Sequence, residues 1–136
     1  KLVEERVCKL NKKGHKISLL GSIDLNVFNF DDYKCCILPS RYEGFAFLPL
    51  ELSKLKVPYI LSNCLGHDEL LVSHLDTMYS FDTHNNEALN KLIEKILTTD
   101  IKNLVRDFEK IHTARLARYT DDEFISKYRK LFLECT

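Results

Sequence analysis

The chain has 136 residues, of which 45% are apolar and 29% charged. That balance reads as a soluble globular protein, one domain or part of one, able to bury roughly two thirds of its unfolded surface. Lysine plus arginine equals aspartate plus glutamate, 20 each, which argues against general nucleic-acid binding through a basic surface, and no apolar run approaches the roughly 20 residues of a membrane span.

Residues 1 to 12, KLVEERVCKLNK, set Leu2, Val3, Val7 and Leu10 at helical spacing, and Gly14 ends the helix. KISLL reads as a strand running to Gly21. Asp24 is placed to cap a short helix holding Leu25, Val27 and Phe28. KCCILP, stopped by Pro39, is a continuously apolar strand of the kind found where both faces of a sheet are covered. A helix is expected over about 48 to 56, then the buried strand VPYILS. GHDELLVSH follows as a short helix with acids in its first turn, and TMYSF as a further strand. Residues 86 to 98 gather Leu89, Leu92, Ile93, Ile96 and Leu97 on one helical face. Residues 100 to 118 also look helical. TDDE at 120 to 123 fits a capping box, with Thr120 as cap and Glu123 reaching back. It opens a last helix with Phe124, Tyr128, Leu131 and Phe132 on one side.

Strand and helix alternate from about residue 16 to residue 98, the order of an α/β layer with a parallel sheet. No repeat or linker divides the chain, so residues 1–136 read as a single domain, with an α/β core over 1–98 and helices over 99–136. The five cysteines, Cys8, Cys35, Cys36, Cys64 and Cys135, form no CxxC pair and read as reduced thiols in a cytosolic protein. Five scattered histidines lack any HExxH-like spacing, so no metal site is expected. Neither a G-x-S-x-G elbow nor a P-loop occurs, and no signal-peptide pattern is present. Lys102, Arg106 and Lys110 make a basic stripe at helical spacing. A solvated face is the plain reading, and contact with anionic lipid the other.

The chemistry concentrates in SRYEGFAFLPLELS, residues 40 to 53, where Glu43 and Glu51 bracket an apolar strand-to-helix turn. Ligands of parallel α/β sheets sit beyond the carboxyl ends of the strands. Gly44 permits close backbone approach or an unusual φ. Pro49 falls near the helix start, where a missing N–H costs little, and free N–H groups there hold an anion such as a phosphate. A carboxylate on either side accepts hydrogen bonds from neighbouring hydroxyls. The layout suits a phosphate between two hydroxylated rings, as in a nucleotide sugar. By themselves Glu43 reads as a solvated loop acid beside Arg41, Glu51 as an early-turn glutamate, and Phe45 and Phe47 as core. A glycosidase pair, which needs about 5 to 9.5 Å between carboxylates, is a further reading.

LPSRYEGFAFLPLE resembles the E-x7-E motif of retaining GT-B glycosyltransferases, especially the GT4 family. ISLLGSI is similar to the strand and glycine turn before it, VPYILSNCLGHDELL to the segment after it, and SFDTHNNEALNKLIEKIL to the family's acidic loop and helix. The resemblance implies a Rossmann-like sheet with flanking helices: part of the carboxyl-terminal, donor-binding half of a GT-B fold, truncated at its amino end. It implies Glu43 as the catalytic residue beside the transferred sugar and Glu51 on the ribose hydroxyls. Backbone N–H groups of Gly44, Phe45, Ala46 and Phe47 would meet the sugar and diphosphate, with Ser22 and Ile23 along the base. The donor would be a UDP- or GDP-sugar, the acceptor a glycan or glycolipid, and no cofactor is implied. Such an enzyme would work in the cytoplasm or against the inner face of the membrane.

Several positions depart from the pattern: Leu48 precedes a late Pro49, Ala46 replaces a glycine, Lys56 and Leu65 stand where glycines are usual, and Asp68 replaces a proline. By the same resemblance, the first two strands of the domain, its diphosphate-clamping arginine and lysine, and the acceptor-binding half are expected to lie outside these 136 residues. The isolated chain is therefore not expected to turn over. KISLLG and CCILP must either pair directly or borrow a partner chain's strands, a route to a dimer through the sheet edge. A degenerate, non-catalytic interaction module is the alternative function, and a sugar-nucleotide epimerase of the same fold a third.

Overall fold

In the computed structural model, residues 1–120, 122, 123, 125, 126 and 129 are described. The elements in chain order are α1 (Leu2–Asn11), β1 (Cys36–Leu38), α2 (Phe47–Lys54), β2 (Tyr59–Ser62), α3 (Leu65–Asp68), α4 (His74–Thr77), β3 (Ser80–Phe81), α5 (Asn86–Thr98) and α6 (Ile101–Arg118). The three strands form one parallel sheet in the order β1-β2-β3. Ile37 pairs with Ile60 and Ser62 with Phe81. The architecture is the expected α/β layer, with a parallel sheet flanked by helices.

All four β2 residues are buried, and alternate side chains feed opposite faces. Ile60 joins Tyr79, Phe81, Leu92, Ile96, Leu104, Phe108 and Ile111 under α5 and α6. Tyr59 and Leu61 point the other way and join Leu52 of α2 and Val57. The one polar residue of β2, Ser62, is hydrogen-bonded, whereas β1 leaves Ile37 41% exposed, so the double covering holds for β2 and not for β1. The long helices begin where the sequence provides caps. Asn85 accepts the Ala88 N–H at 2.9 Å, and Asp100 accepts the Lys102 N–H at 2.9 Å.

Four expectations are corrected. KISLL is not a strand: residues 16 to 20 have no regular structure, are exposed, and find no ladder partner among the described residues, so neither direct pairing with CCILP nor two separate strands is seen. Asp24 caps a turn rather than a helix, its carboxylate accepting the Asn26 N–H at 2.9 Å. GHDELLVSH is not one helix: it holds the end of one single-turn helix, α3, and the first residue of another, α4. Asp76 accepts the Val72 and Ser73 N–H groups at 2.9 and 3.1 Å and starts α4 with a capping box from Ser73, which interrupts a continuous helix. TMYSF shortens to Ser80–Phe81 because α4 takes up Thr77. At the TDDE box the Glu123 N–H donates to Thr120 Oγ1 at 3.2 Å. Phe124, Tyr128, Leu131 and Phe132 lie outside the described residues.

Candidate functional site

The carboxyl end of β1 runs through Pro39 and Ser40 into an irregular turn that ends where α2 begins at Phe47. Ala46 is the N-cap, buried and extended, and offers no side-chain cap. Pro49, buried in the first turn, would lack an intrahelical N–H partner whatever residue stood there, so its late position costs no hydrogen bond. The Phe47 and Leu48 N–H groups have no acceptor among the described residues. Unpaired donors at the positive end of a helix dipole favour an anion.

The two acids flank this helix start. Glu51 lies one turn into α2 and is exposed. It lines an open cleft of about 470 Å³ with Ile23, Asp24, Leu25, Asn26, Lys54 and Leu55. The 23–26 turn and α2 thus form its two walls, and Lys54 sets a cation beside two carboxylates. Glu43 is half-buried and does not line that cleft. Its Oε1 accepts the Ser40 hydroxyl at 2.7 Å, which replaces the pairing expected with Arg41. The two carboxylates do not share this cleft, an arrangement unlike the facing acids of a glycosidase.

Each remaining candidate has a definite place. Ile23 is in the cleft wall, and Ser22 is exposed beside it without being part of the lining. Gly44 keeps an ordinary φ, which corrects the expectation of unusual backbone there, and the space where a Cβ would stand is open. Phe45 is half-buried, with its ring centroid 5.0 Å from Phe47 and 5.8 Å from Tyr119. Phe47 is 67% exposed, so it is not core in this structure.

Sequence reasoning missed the layer beneath the turn. Ser62, at the end of β2, donates its hydroxyl to the Ser40 carbonyl at 2.5 Å. Buried His67 sets Nδ1 2.9 Å from the Ser62 carbonyl and 3.1 Å from its hydroxyl. A carbonyl only accepts, so Nδ1 carries the proton. Gly66 presses on the turn: a Cβ there would lie 2.6 Å from the Glu43 carbonyl oxygen. Leu65, where the family pattern has a glycine, points outward and is 74% exposed, so a side chain is tolerated. Behind α3 and α4 sits a buried ion pair. Arg115 donates to Asp76 at 2.6 Å and to the Leu70 carbonyl at 3.0 Å. Burial pulls its guanidinium down to about 10, which leaves it charged at neutral pH. Nothing in the sequence spacing links residues 39 positions apart. Burial, with the neighbouring Cys36 a second cause, pushes the Cys35 thiol up to about 11, as fits a packing residue.

The chain matches the protein family described as Glycosyl transferases group 1 over residues 4–114. It is similar to two Escherichia coli proteins, each named O-antigen biosynthesis glycosyltransferase WclY. The identity to each is 30% over 125 residues, 91% of this chain and 32% of the relative. The chain thus spans about a third of the length of those relatives. No solved structure matches it.

Proposed function

Because the chain belongs to the glycosyl transferases group 1 family, we propose that it is the donor-binding part of a retaining glycosyltransferase, which holds a nucleotide-diphosphate sugar over the start of α2. The observation that carries this reading is the uncapped start of α2, with the Glu43 turn on one side and the Glu51 cleft on the other. The diphosphate lies on the Phe47 and Leu48 N–H groups. Glu51 accepts the ribose hydroxyls, and the base runs along Ser22 and Ile23. Glu43 and the backbone from Gly44 to Ala46 meet the transferred sugar. The helix dipole stabilises the departing diphosphate without requiring a metal.

A UDP- or GDP-sugar is the donor, and a polysaccharide or glycolipid the acceptor, in keeping with the O-antigen relatives. Among the described residues no helix is long and apolar enough to cross a membrane. We place the enzyme in the cytoplasm, with the exposed Lys102, Arg106 and Lys110 face of α6 toward anionic lipid. Calorimetry with UDP, GDP and their sugars tests the donor site. Glu51→Gln is expected to weaken nucleotide binding roughly 5- to 10-fold, and unchanged affinity removes the ribose role. In a radiolabelled transfer assay the isolated 136-residue chain is expected to show no turnover. Robust transfer would overturn that expectation.

The exposed Leu2, Val3, Leu19, Leu20 and Val27 favour a second reading, an interaction module whose apolar segment docks on a partner chain. Absence of binding to every nucleotide and nucleotide sugar tried would select it.

A further inference from the structure

Glu43 is fixed from beneath by groups that the donor-site reading does not use. Its carboxylate takes the Ser40 hydroxyl at 2.7 Å. The same Ser40 is held at its carbonyl by the Ser62 hydroxyl at 2.5 Å. Ser62 is 1% exposed, and its own rotamer is set by His67 Nδ1–H, which lies between the Ser62 carbonyl and hydroxyl oxygens. That proton leaves the Ser62 hydroxyl free to donate to Ser40 rather than to the imidazole. A second contact acts on the same residue from the side: the Gly66 backbone lies where a Cβ would collide with the carbonyl oxygen, carbonyl carbon and Cβ of Glu43 at 2.6 to 2.8 Å.

We propose that Ser62, oriented by His67, is a positioning residue that fixes the Ser40–Glu43 turn, and that Gly66 is required for Glu43 to sit there. Loops carry chemistry when a rigid layer locks their rotamers. This loop is irregular along its whole length, so its locks come from neighbouring elements: Ser62 of β2 and Gly66 of α3 act at Ser40 and Glu43, while Tyr119 after α6 packs on Phe45. The assignment of an effect on donor recognition rests on the proposed function, in which Glu43 meets the sugar. Its effect on the loop does not.

Two measurements on the chain separate these. Backbone NMR order parameters of residues 41 to 46 read the loop directly. Ser62→Ala is expected to lower them from about 0.85 toward about 0.6, and Ser62→Thr, which keeps the hydroxyl, to restore them. Calorimetry then compares a UDP- or GDP-sugar with the bare nucleoside diphosphate. Ser62→Ala and Gly66→Ala are expected to weaken the sugar-bearing ligand roughly 5- to 10-fold and the bare diphosphate less than about 2-fold. A merely structural loss would weaken both equally and would not be rescued by threonine. Unchanged order parameters in Ser62→Ala overturn the positioning role outright. If no nucleotide sugar binds the unmodified chain, the donor reading fails and the order parameters alone decide whether Ser62 holds the turn.

Discussion

Lys56 adopts φ 57°, and among the described residues no other non-glycine residue has positive φ. It closes α2 in a Schellman arrangement: Val57 N–H donates to the Leu52 carbonyl at 2.9 Å and Lys56 N–H to the Ser53 carbonyl at 3.2 Å. A lysine Cβ is strained there and a glycine is not. Lys56→Gly is therefore expected to stabilise the fold by about 0.5–1 kcal/mol in urea unfolding. No gain would mean that the lysine stem finds compensating contacts.

His112 makes a second prediction at this scale. It is buried between Tyr59, Phe108 and Ser53, with Nδ1 3.2 Å from the Ser53 hydroxyl and Nε2 without a partner among the described residues. Burial lowers its pKa from 6.5 to about 4. Between those values the unfolded chain binds a proton that the native one refuses. Stability is thus complete above about pH 6.5 and falls as the pH drops toward 4. The loss at pH 5 is expected to be about 1–2 kcal/mol. Urea titrations at pH 7.5 and 5 check this, since His112→Gln should remove most of the difference. An equally steep loss in the variant would place the titration elsewhere.

The helical elements differ in what holds them. α5 and α6 are capped by their own sequence and bury apolar faces, so truncating Ile96, 1% exposed, to alanine should cost about 2–4 kcal/mol in chemical denaturation. α3 and α4 are single turns with little intrinsic helicity. They are held by the Arg115–Asp76 pair and by the Leu70 carbonyl. Arg115→Met leaves a buried carboxylate without its cation and is expected to cost about 3–5 kcal/mol. Adding Asp76→Asn should recover part of that loss, because the uncompensated charge is gone. Additive losses in the double variant would show that the two residues act independently.

Over the whole molecule, packing is uneven. α1 buries none of its residues, and residues 9 to 24 are exposed throughout. On the sheet's α5 side Ile37 remains 41% exposed, while its ladder partner Ile60 is fully buried. The stable body therefore begins near Phe28 and Phe30, whose rings pack at 4.9 Å. Deleting residues 1 to 14 is expected to change the urea midpoint negligibly, by less than about 0.5 kcal/mol in stability. A larger loss would assign α1 a share of the core.

What the sequence determined by itself is local chemistry. Apolar VPYILS had to be a buried strand. Residues 86 to 98 and 100 to 118 had to be helical, and Gly44 and Pro49 had to sit at a strand-to-helix turn. Periodicity, caps and turn residues act over a few positions, so these are readable in one dimension. KISLL failed for the complementary reason: a strand exists only when another backbone answers its hydrogen bonds, and propensity cannot supply the partner. Tertiary structure alone decided that Glu51 faces the cleft built by the 23–26 turn while Glu43 turns onto Ser40. It alone brought His67, Ser62 and Gly66 under that turn and Arg115 onto Asp76. Those contacts join residues from different elements, and their directions are fixed by how the layers pack.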